Sequence, residues 1–208
     1  MSALLRPSLV MLDCDGTMFD SYEANRSFYD AILEDLALPP LDAEGRELAH
    51  RMSSPQLFAH LFRDDPGTLA RALEAARGRD YTPFLFRMTP MPELFETLEW
   101  LHERYKTALV TNRGSTIPRL LEHFDLARHF DLVVGIHDVA HPKPAPDMLV
   151  RCLEHFRVPA GDAVYVGDSP GDLEASRAAG VRFVAVGELA GAADHSLESF
   201  ADLRRALA

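Results

Sequence analysis

A chain of 208 residues, 47% apolar and 25% charged, is long enough for one α/β domain with a sizeable insertion, and its composition is neither disordered nor fibrous. Its net charge of -11, with no basic run, argues against binding to nucleic acid, whose phosphate backbone needs clustered lysine and arginine. An anionic substrate is still open to it where one lysine or a metal supplies local positive charge, and the overall sign favours a divalent cation.

Two cysteines, Cys14 and Cys152, form neither a CxxC motif nor a disulfide framework, which fits a reducing cytosol. The apolar start of the chain is interrupted too soon for a signal peptide, and no run approaches membrane-spanning length, so a cytoplasmic protein with no membrane partner is expected.

In chain order, residues 9–12 form a short, continuously apolar run, as in a strand buried on both faces of a parallel sheet. It ends in Asp13-Cys14-Asp15-Gly16-Thr17. In extended geometry Asp13 and Asp15 point to the same side, and their charges repel unless a cation lies between them or one carboxyl keeps its proton. The alternative is an Asx turn at a strand end.

From Asp20 to about Met88 the texture changes to amphipathic helix. Phe28, Ile32 and Leu36, then Leu57 with Leu61 and Leu69 with Leu73, recur at helical spacing. Pro39-Pro40, Ser53-Ser54-Pro55 and Asp64-Asp65-Pro66-Gly67 read as boundaries, giving roughly four helices and no strand. Residues 20–89 are expected to be a helical domain, with Phe28, Tyr29, Phe58, Phe62, Phe84 and Phe86 forming its own core rather than a ligand box. Residues 1–19 and 90–208 are expected to form the other, discontinuous domain.

There the pattern alternates: helix 92–104, strand 107–111, helix 115–124, strand 131–135, helix 146–156, strand 163–167, helix 170–179 and strand 182–186, with 187–199 as loop before a short final helix. The repeated βα order predicts a Rossmann-like, doubly wound parallel sheet with right-handed crossovers, whose site lies at the carboxyl ends of the strands. The residues just past those ends are Asp13 and Asp15, Thr111-Asn112-Arg113, Lys143, and Asp168 with Asp172. Two carboxylates, a hydroxyl, a lysine and a second acidic cluster are what phosphoryl transfer through a hard oxygen-seeking cation such as Mg²⁺ needs. Asp13 and Asp168 are the expected carboxylate ligands, with the Asp15 carbonyl as a third.

The ordered set resembles the haloacid dehalogenase superfamily: Asp13-Cys14-Asp15-Gly16-Thr17 is similar to its first motif and Thr111 to its second. Lys143 in Pro142-Lys143-Pro144 resembles the third, and Gly167-Asp168-Ser169-Pro170-Gly171-Asp172 the fourth. The resemblance covers nearly the whole chain, and its helical insertion after the first motif corresponds to a cap that closes over the site. It implies that Asp13 is the nucleophile and Asp15 the general acid and base, with Thr111 and Lys143 holding the transferring phosphoryl group. Mg²⁺ would sit on Asp13, Asp168 and the Asp15 carbonyl. Read from the residues alone, Asn112 is a candidate substrate contact, and Arg113, at the same strand end, is expected either to hold a second anionic group of the substrate or to form a surface salt bridge. Asp172 would be a ligand or a neighbour of the ligands; Ser169-Pro170-Gly171-Asp172 reads equally well as the first turn of a helix, where an acid is favoured.

Asp15, Asp168 and Asp172 together point away from the superfamily's dehalogenases, and Thr17 away from mutases of the β-phosphoglucomutase type, which usually carry Val there. The look is closest to phosphoglycolate phosphatase-like members, with a small phosphorylated metabolite as substrate and a monomer or weak homodimer as the state. A phosphosugar mutase and a non-catalytic phospho-ligand binder are the alternatives. Arg26, Arg51, Arg63 and Arg87 are the basic residues of the insertion singled out to meet a substrate anion, and His137 and His141 read as polar loop residues without a paired acid.

Overall fold

The computed structural model of this chain describes residues 6–187, 189 and 193–207, and of His50 and Arg51 the backbone only. Strand β1 is Leu9–Leu12, followed by β2 (Phe19–Asp20). Five helices come next: α1 (Tyr22–Asp35), α2 (Ala43–Arg51), α3 (Ser54–Leu61), α4 (Pro66–Gly78) and the short α5 (Thr82–Leu85). After β3 (Thr89–Pro90) the chain alternates through α6 (Leu94–His102), β4 (Lys106–Val110), α7 (Ile117–His123), β5 (Leu132–Val134) and α8 (Asp147–Phe156). It ends with β6 (Ala163–Gly167), α9 (Pro170–Ala179), β7 (Arg182–Val186), β8 (His195–Leu197) and α10 (Leu203–Leu207).

Six of the strands form one parallel sheet in the order β5-β4-β1-β6-β7-β8. The chain starts at the centre, winds outward to β5, then crosses to β6 and winds the other way; this is the doubly wound arrangement, whose crevice opens where the direction reverses, beside β1. All four residues of β1 are fully buried because both faces are covered. Alternation sends Val10 and Leu12 into one apolar cluster with Leu98, Leu101 and Leu203, and Leu9 and Met11 into the other with Met148, Leu149 and Leu173. Helices α6, α7 and α10 thus cover one face of the sheet, α8 and α9 the other.

Four details depart from the sequence-based expectation. The insertion holds five helices instead of roughly four, the extra one a single turn whose first N–H is received by Asp80 (Thr82 N to Oδ1, 3.0 Å). Phe19–Asp20 and Thr89–Pro90 pair antiparallel where the insertion leaves and rejoins the chain, a ribbon too short to leave a period in the sequence. Within 187–199, expected as loop, His195–Leu197 pairs with β7; residues 188 and 190–192 of that stretch lie outside the described residues, as do 1–5 at the start. Helix α6 also starts two residues late, because Glu93 takes φ +56 and so stands outside a right-handed helix.

The aromatic residues of the insertion mostly pack on one another: Phe28 lies 5.1 Å from Tyr81 and 5.6 Å from Phe84 between ring centres, and Tyr29 lies 5.6 Å from Phe58. Phe86 does not join them. It is 77% exposed and lies edge-on to His123 of α7, 5.0 Å between ring centres. Among the described residues no helix is long and apolar enough to cross a membrane.

Candidate active site

Asp13 follows directly on β1, its backbone N–H donating to the Val166 carbonyl at 2.9 Å, so the central strand delivers it to the crevice. Gly16 then reverses the chain at φ +79, a conformation glycine adopts at little cost. A side chain there has no room: its Cβ would lie 2.0 Å from Asp168 Oδ2. This close approach brings the first and fourth motifs together, and Thr17 Oγ1 ties them by donating to Asp168 Oδ1 at 3.0 Å.

Lys143 is buried at the centre. Its ammonium donates to Asp13 Oδ1 and Asp172 Oδ1, each at 2.7 Å, and to the Tyr165 hydroxyl at 2.8 Å, with the Val110 carbonyl at 3.3 Å. Burial works against that charge, but the carboxylates of Asp13 and Asp172 outweigh it and hold the ammonium well above lysine's ordinary value. Asp172 is fully buried and every oxygen is used: Oδ1 also receives the Tyr165 hydroxyl at 2.7 Å, and Oδ2 receives Ser169 Oγ at 2.6 Å and Ser169 N at 3.1 Å. Burial would raise its carboxyl, yet Lys143, Ser169 and Tyr165 keep it below the ordinary carboxylate value. Asp172 is therefore at once the third residue of α9, as its first-turn reading requires, and the anchor of Lys143.

Asp13 is held in the opposite direction, well above its ordinary value, first by burial, then by the Asp172 charge, against the pull of Lys143. One oxygen from each of Asp13, Asp168 and Asp172 lies within 4.8 Å of the others. The Lys143 ammonium bonds two of these three carboxylates, Asp13 and Asp172. Their hard oxygens suit a divalent cation, and since Asp172 has both oxygens engaged, Asp13 and Asp168 are the residues that could hold it.

Asp15 faces a different cation. Arg113, only 8% exposed, grips it with two bonds, Nε to Oδ2 at 2.7 Å and Nη2 to Oδ1 at 2.5 Å. The repulsion expected between Asp13 and Asp15 is thus relieved by giving each its own positive partner. Arg113 stacks over the Tyr81 ring at 4.7 Å, and Tyr81 donates its hydroxyl to Asn25 Oδ1 at 2.7 Å while Asn25 Nδ2 reaches Asp15 Oδ1 at 3.3 Å. Two residues of the insertion thereby hold a pair from the sheet. Arg113, expected to meet a second anion of the substrate, is here engaged by protein because a buried guanidinium needs a carboxylate partner. Asn112, expected as a substrate contact, donates its amide to the Lys143 carbonyl at 3.0 Å, which Gln56 of α3 also reaches at 3.3 Å. Thr111 accepts the Arg113 N–H at 3.2 Å, which leaves its own proton to give.

Asp13, Asp15, Thr111, Arg113, Lys143 and Asp168 open on a cavity of about 510 Å³ between the strand ends and the insertion, with Asp172 and Tyr165 buried behind them. Of the arginines singled out in the sequence, Arg26 pairs with Glu23, Arg63 with Asp64, and Arg87 is exposed and away from the cavity; the Arg51 side chain lies outside the described residues. Arg77 lines the cavity instead. His137 lines it too, whereas His141 is exposed and, contrary to expectation, has an acid partner in Asp147 at 3.0 Å.

Residues 10–186 match the family model described as haloacid dehalogenase-like hydrolase. The chain belongs to the haloacid dehalogenase-like hydrolases. A phosphoglycolate phosphatase of Pseudomonas fluorescens is 31% identical over 86% of this chain and 69% of its own length. One from Aliivibrio fischeri is 30% identical over 83% of this chain and 80% of its own. A crystal structure of a superfamily hydrolase of subfamily IA from Geobacter sulfurreducens superposes with a TM-score of 0.77 at 33% identity, covering 97% of both chains.

In this haloacid dehalogenase-like site three participants escaped the sequence reading: Tyr165, Asn25 and Tyr81. Tyr165 carried a signal, being the one polar-tipped side chain in a strand otherwise of Ala, Val and Gly; a buried phenol needs a hydrogen-bond partner. Asn25 and Tyr81 carried none, since they stand 56 residues apart and meet only through tertiary structure.

Proposed function

We propose that this hydrolase cleaves phosphomonoesters of small metabolites through a phosphorylated Asp13, with Mg²⁺ as its cofactor, residues 20–89 acting as a cap over a core of residues 1–19 and 90–208. The arrangement of Lys143, 2.7 Å from both Asp13 and Asp172 beside Asp168 and a large cavity, carries the reading. Similarity to phosphoglycolate phosphatases supports it.

Asp13 has one oxygen held by Lys143, which orients the carboxylate and leaves the other to attack phosphorus. A bond forms between that oxygen and phosphorus as the bond to the ester oxygen breaks. Asp15 gives its proton to the departing alcohol, then takes one from the water that cleaves the aspartyl phosphate and restores Asp13. This duty requires Asp15 to leave Arg113, which Asn25 and Tyr81 of the cap hold in place. The Thr111 proton and the Lys143 ammonium receive the phosphoryl oxygens. Asp13, Asp168 and the Asp15 carbonyl would hold Mg²⁺, which when bound would supply charge neutralisation at the phosphoryl group.

Phosphate release from a panel of esters, with and without Mg²⁺ and beside an Asp13→Asn control, tests this. Turnover that needs both Mg²⁺ and Asp13 is expected. A flat panel at high enzyme concentration refutes hydrolysis in favour of ligand binding, and conversion of β-glucose 1-phosphate into glucose 6-phosphate in place of free phosphate refutes it in favour of a mutase.

A further inference from the structure

A general acid must turn its carboxyl to the leaving oxygen, yet both oxygens of Asp15 are held by Arg113. When Asp15 departs it leaves behind a guanidinium only 8% exposed, and a buried charge that loses its partner is costly. The insertion supplies acceptors for that moment. Arg113 Nη2 already stands 3.2 Å from the Tyr81 hydroxyl, 3.3 Å from Asn25 Oδ1 and 3.6 Å from Met88 Sδ, and the guanidinium lies over the Tyr81 ring, whose face attracts a cation. Each group is turned the right way. The Tyr81 hydroxyl gives its proton to Asn25 Oδ1 at 2.7 Å, which leaves a lone pair for Arg113. Asn25 Nδ2 donates not only to Asp15 but also to Ser21 Oγ at 3.3 Å, and Ser21 is fully buried just before α1. Asn25 thus keeps Oδ1 toward Arg113 whether or not Asp15 is in place.

Resting on the proposed phosphatase reading, we infer that Asn25 and Tyr81 are positioning residues for the general acid: they retain the Arg113 guanidinium while Asp15 swings to the leaving oxygen. They act through Asp15 and not on the ester. By accepting from Arg113 they lower the cost of separating a buried ion pair, so an insertion remote in sequence from the first motif sets how readily that motif delivers its proton. Their effect is confined to reactions in which the departing oxygen needs that proton.

Benzyl and p-nitrophenyl phosphate provide the test, because they are similar in size but p-nitrophenolate leaves as an anion whereas benzyl alcohol must be protonated. The measurement is kcat/KM, which covers the steps up to release of the alcohol and excludes later hydrolysis of the aspartyl phosphate. Each removing one hydrogen bond to a charged group, Tyr81→Phe and Asn25→Leu should lower the benzyl-to-p-nitrophenyl ratio about tenfold. Asp15→Asn should lower it further, by roughly a hundredfold or more. Asn25→Asp keeps an acceptor for Arg113 and should hold the ratio at or above the parent's. Both esters are read on one preparation, so the folded fraction cancels from the ratio. A ratio indifferent to Tyr81→Phe or to Asn25→Leu, or lowered as much by Asn25→Asp as by Asn25→Leu, overturns the inference and leaves the phosphatase reading standing. Absence of phosphate release from these two esters and from the whole panel removes both.

Discussion

Replacing Asp172 with asparagine removes one negative charge and almost no volume, so its consequences follow from hydrogen bonds alone. Four donors converge on the two oxygens of Asp172: the Lys143 ammonium and Tyr165 hydroxyl on one, the Ser169 amide and hydroxyl on the other. Asparagine has one oxygen. If that oxygen keeps Lys143 and Tyr165, the new amide nitrogen confronts the Ser169 N–H; in the flipped orientation it confronts the ammonium. Either way a buried donor is stranded, at about 1–3 kcal/mol, and Lys143 loses the charge of one of its two carboxylates. Breaking a buried pair outright costs about 3–5 kcal/mol, but Asp13 still faces the ammonium, so about 3 kcal/mol is the expected total. For a chain of this length each kcal/mol moves Tm by roughly 2–4 °C, which predicts a loss of roughly 6–12 °C in thermal unfolding without metal. Lys143, freed from its anchor, no longer holds Asp13 in one orientation, and kcat on the best ester of the panel should fall about ten- to a hundredfold, the usual effect of removing a supporting partner. A variant that melts within a degree of the parent and keeps its kcat would show that Asp172 is an ordinary helix-capping acid and that Lys143 needs no second anchor.

Gly16→Ala should abolish Mg²⁺ binding in calorimetry, since its Cβ drives Asp168 aside, besides costing about 1–2 kcal/mol for a left-handed non-glycine residue. Because burial, then Asp172, keeps the proton on Asp13 above its ordinary value of 3.8, that proton stabilises the metal-free fold at low pH and the contribution is lost as pH rises through the raised folded-state value. Mg²⁺ must displace the same proton, so its affinity and its effect on Tm should both grow with pH across that window and then level off; a pH-independent affinity would contradict the assignment of Asp13 as a ligand. Arg113→Met breaks a buried ion pair with Asp15 and should lower stability by about 3–5 kcal/mol in urea unfolding, whereas a surface pair would lose under about 1 kcal/mol. Both thiols are fully buried, and burial pushes Cys152 up to about 12 and Cys14 well above its ordinary value, so a thiol reagent at neutral pH should react with neither until denaturant is added.

Much of this molecule is local information. A four-residue apolar run ending in Asp and Gly, and βα units of regular length, define buried parallel strands whatever surrounds them, and 163–167, 170–179 and 182–186 form with those limits. The residues at the strand ends were legible for the same reason: a parallel sheet carries every such end to one edge. Strand β8 was not legible, because His195-Ser196-Leu197 has no apolar run and is extended through pairing with β7, whose edge supplies the hydrogen bonds.

Which charge neutralises which could be decided only by folding. Asp15 and Arg113 are 98 residues apart, and Lys143 lies 130 from Asp13 and 29 from Asp172, so their pairing depends on sheet order and on the few ångströms that Gly16 leaves for Asp168. The cavity lining is likewise a property of assembled helices, since Phe28 and Leu73 read in sequence only as positions of helical periodicity. Side-chain types and their spacing are written along the chain; electrostatic partnership and the shape of a cavity arise from distances between segments, which no single segment contains.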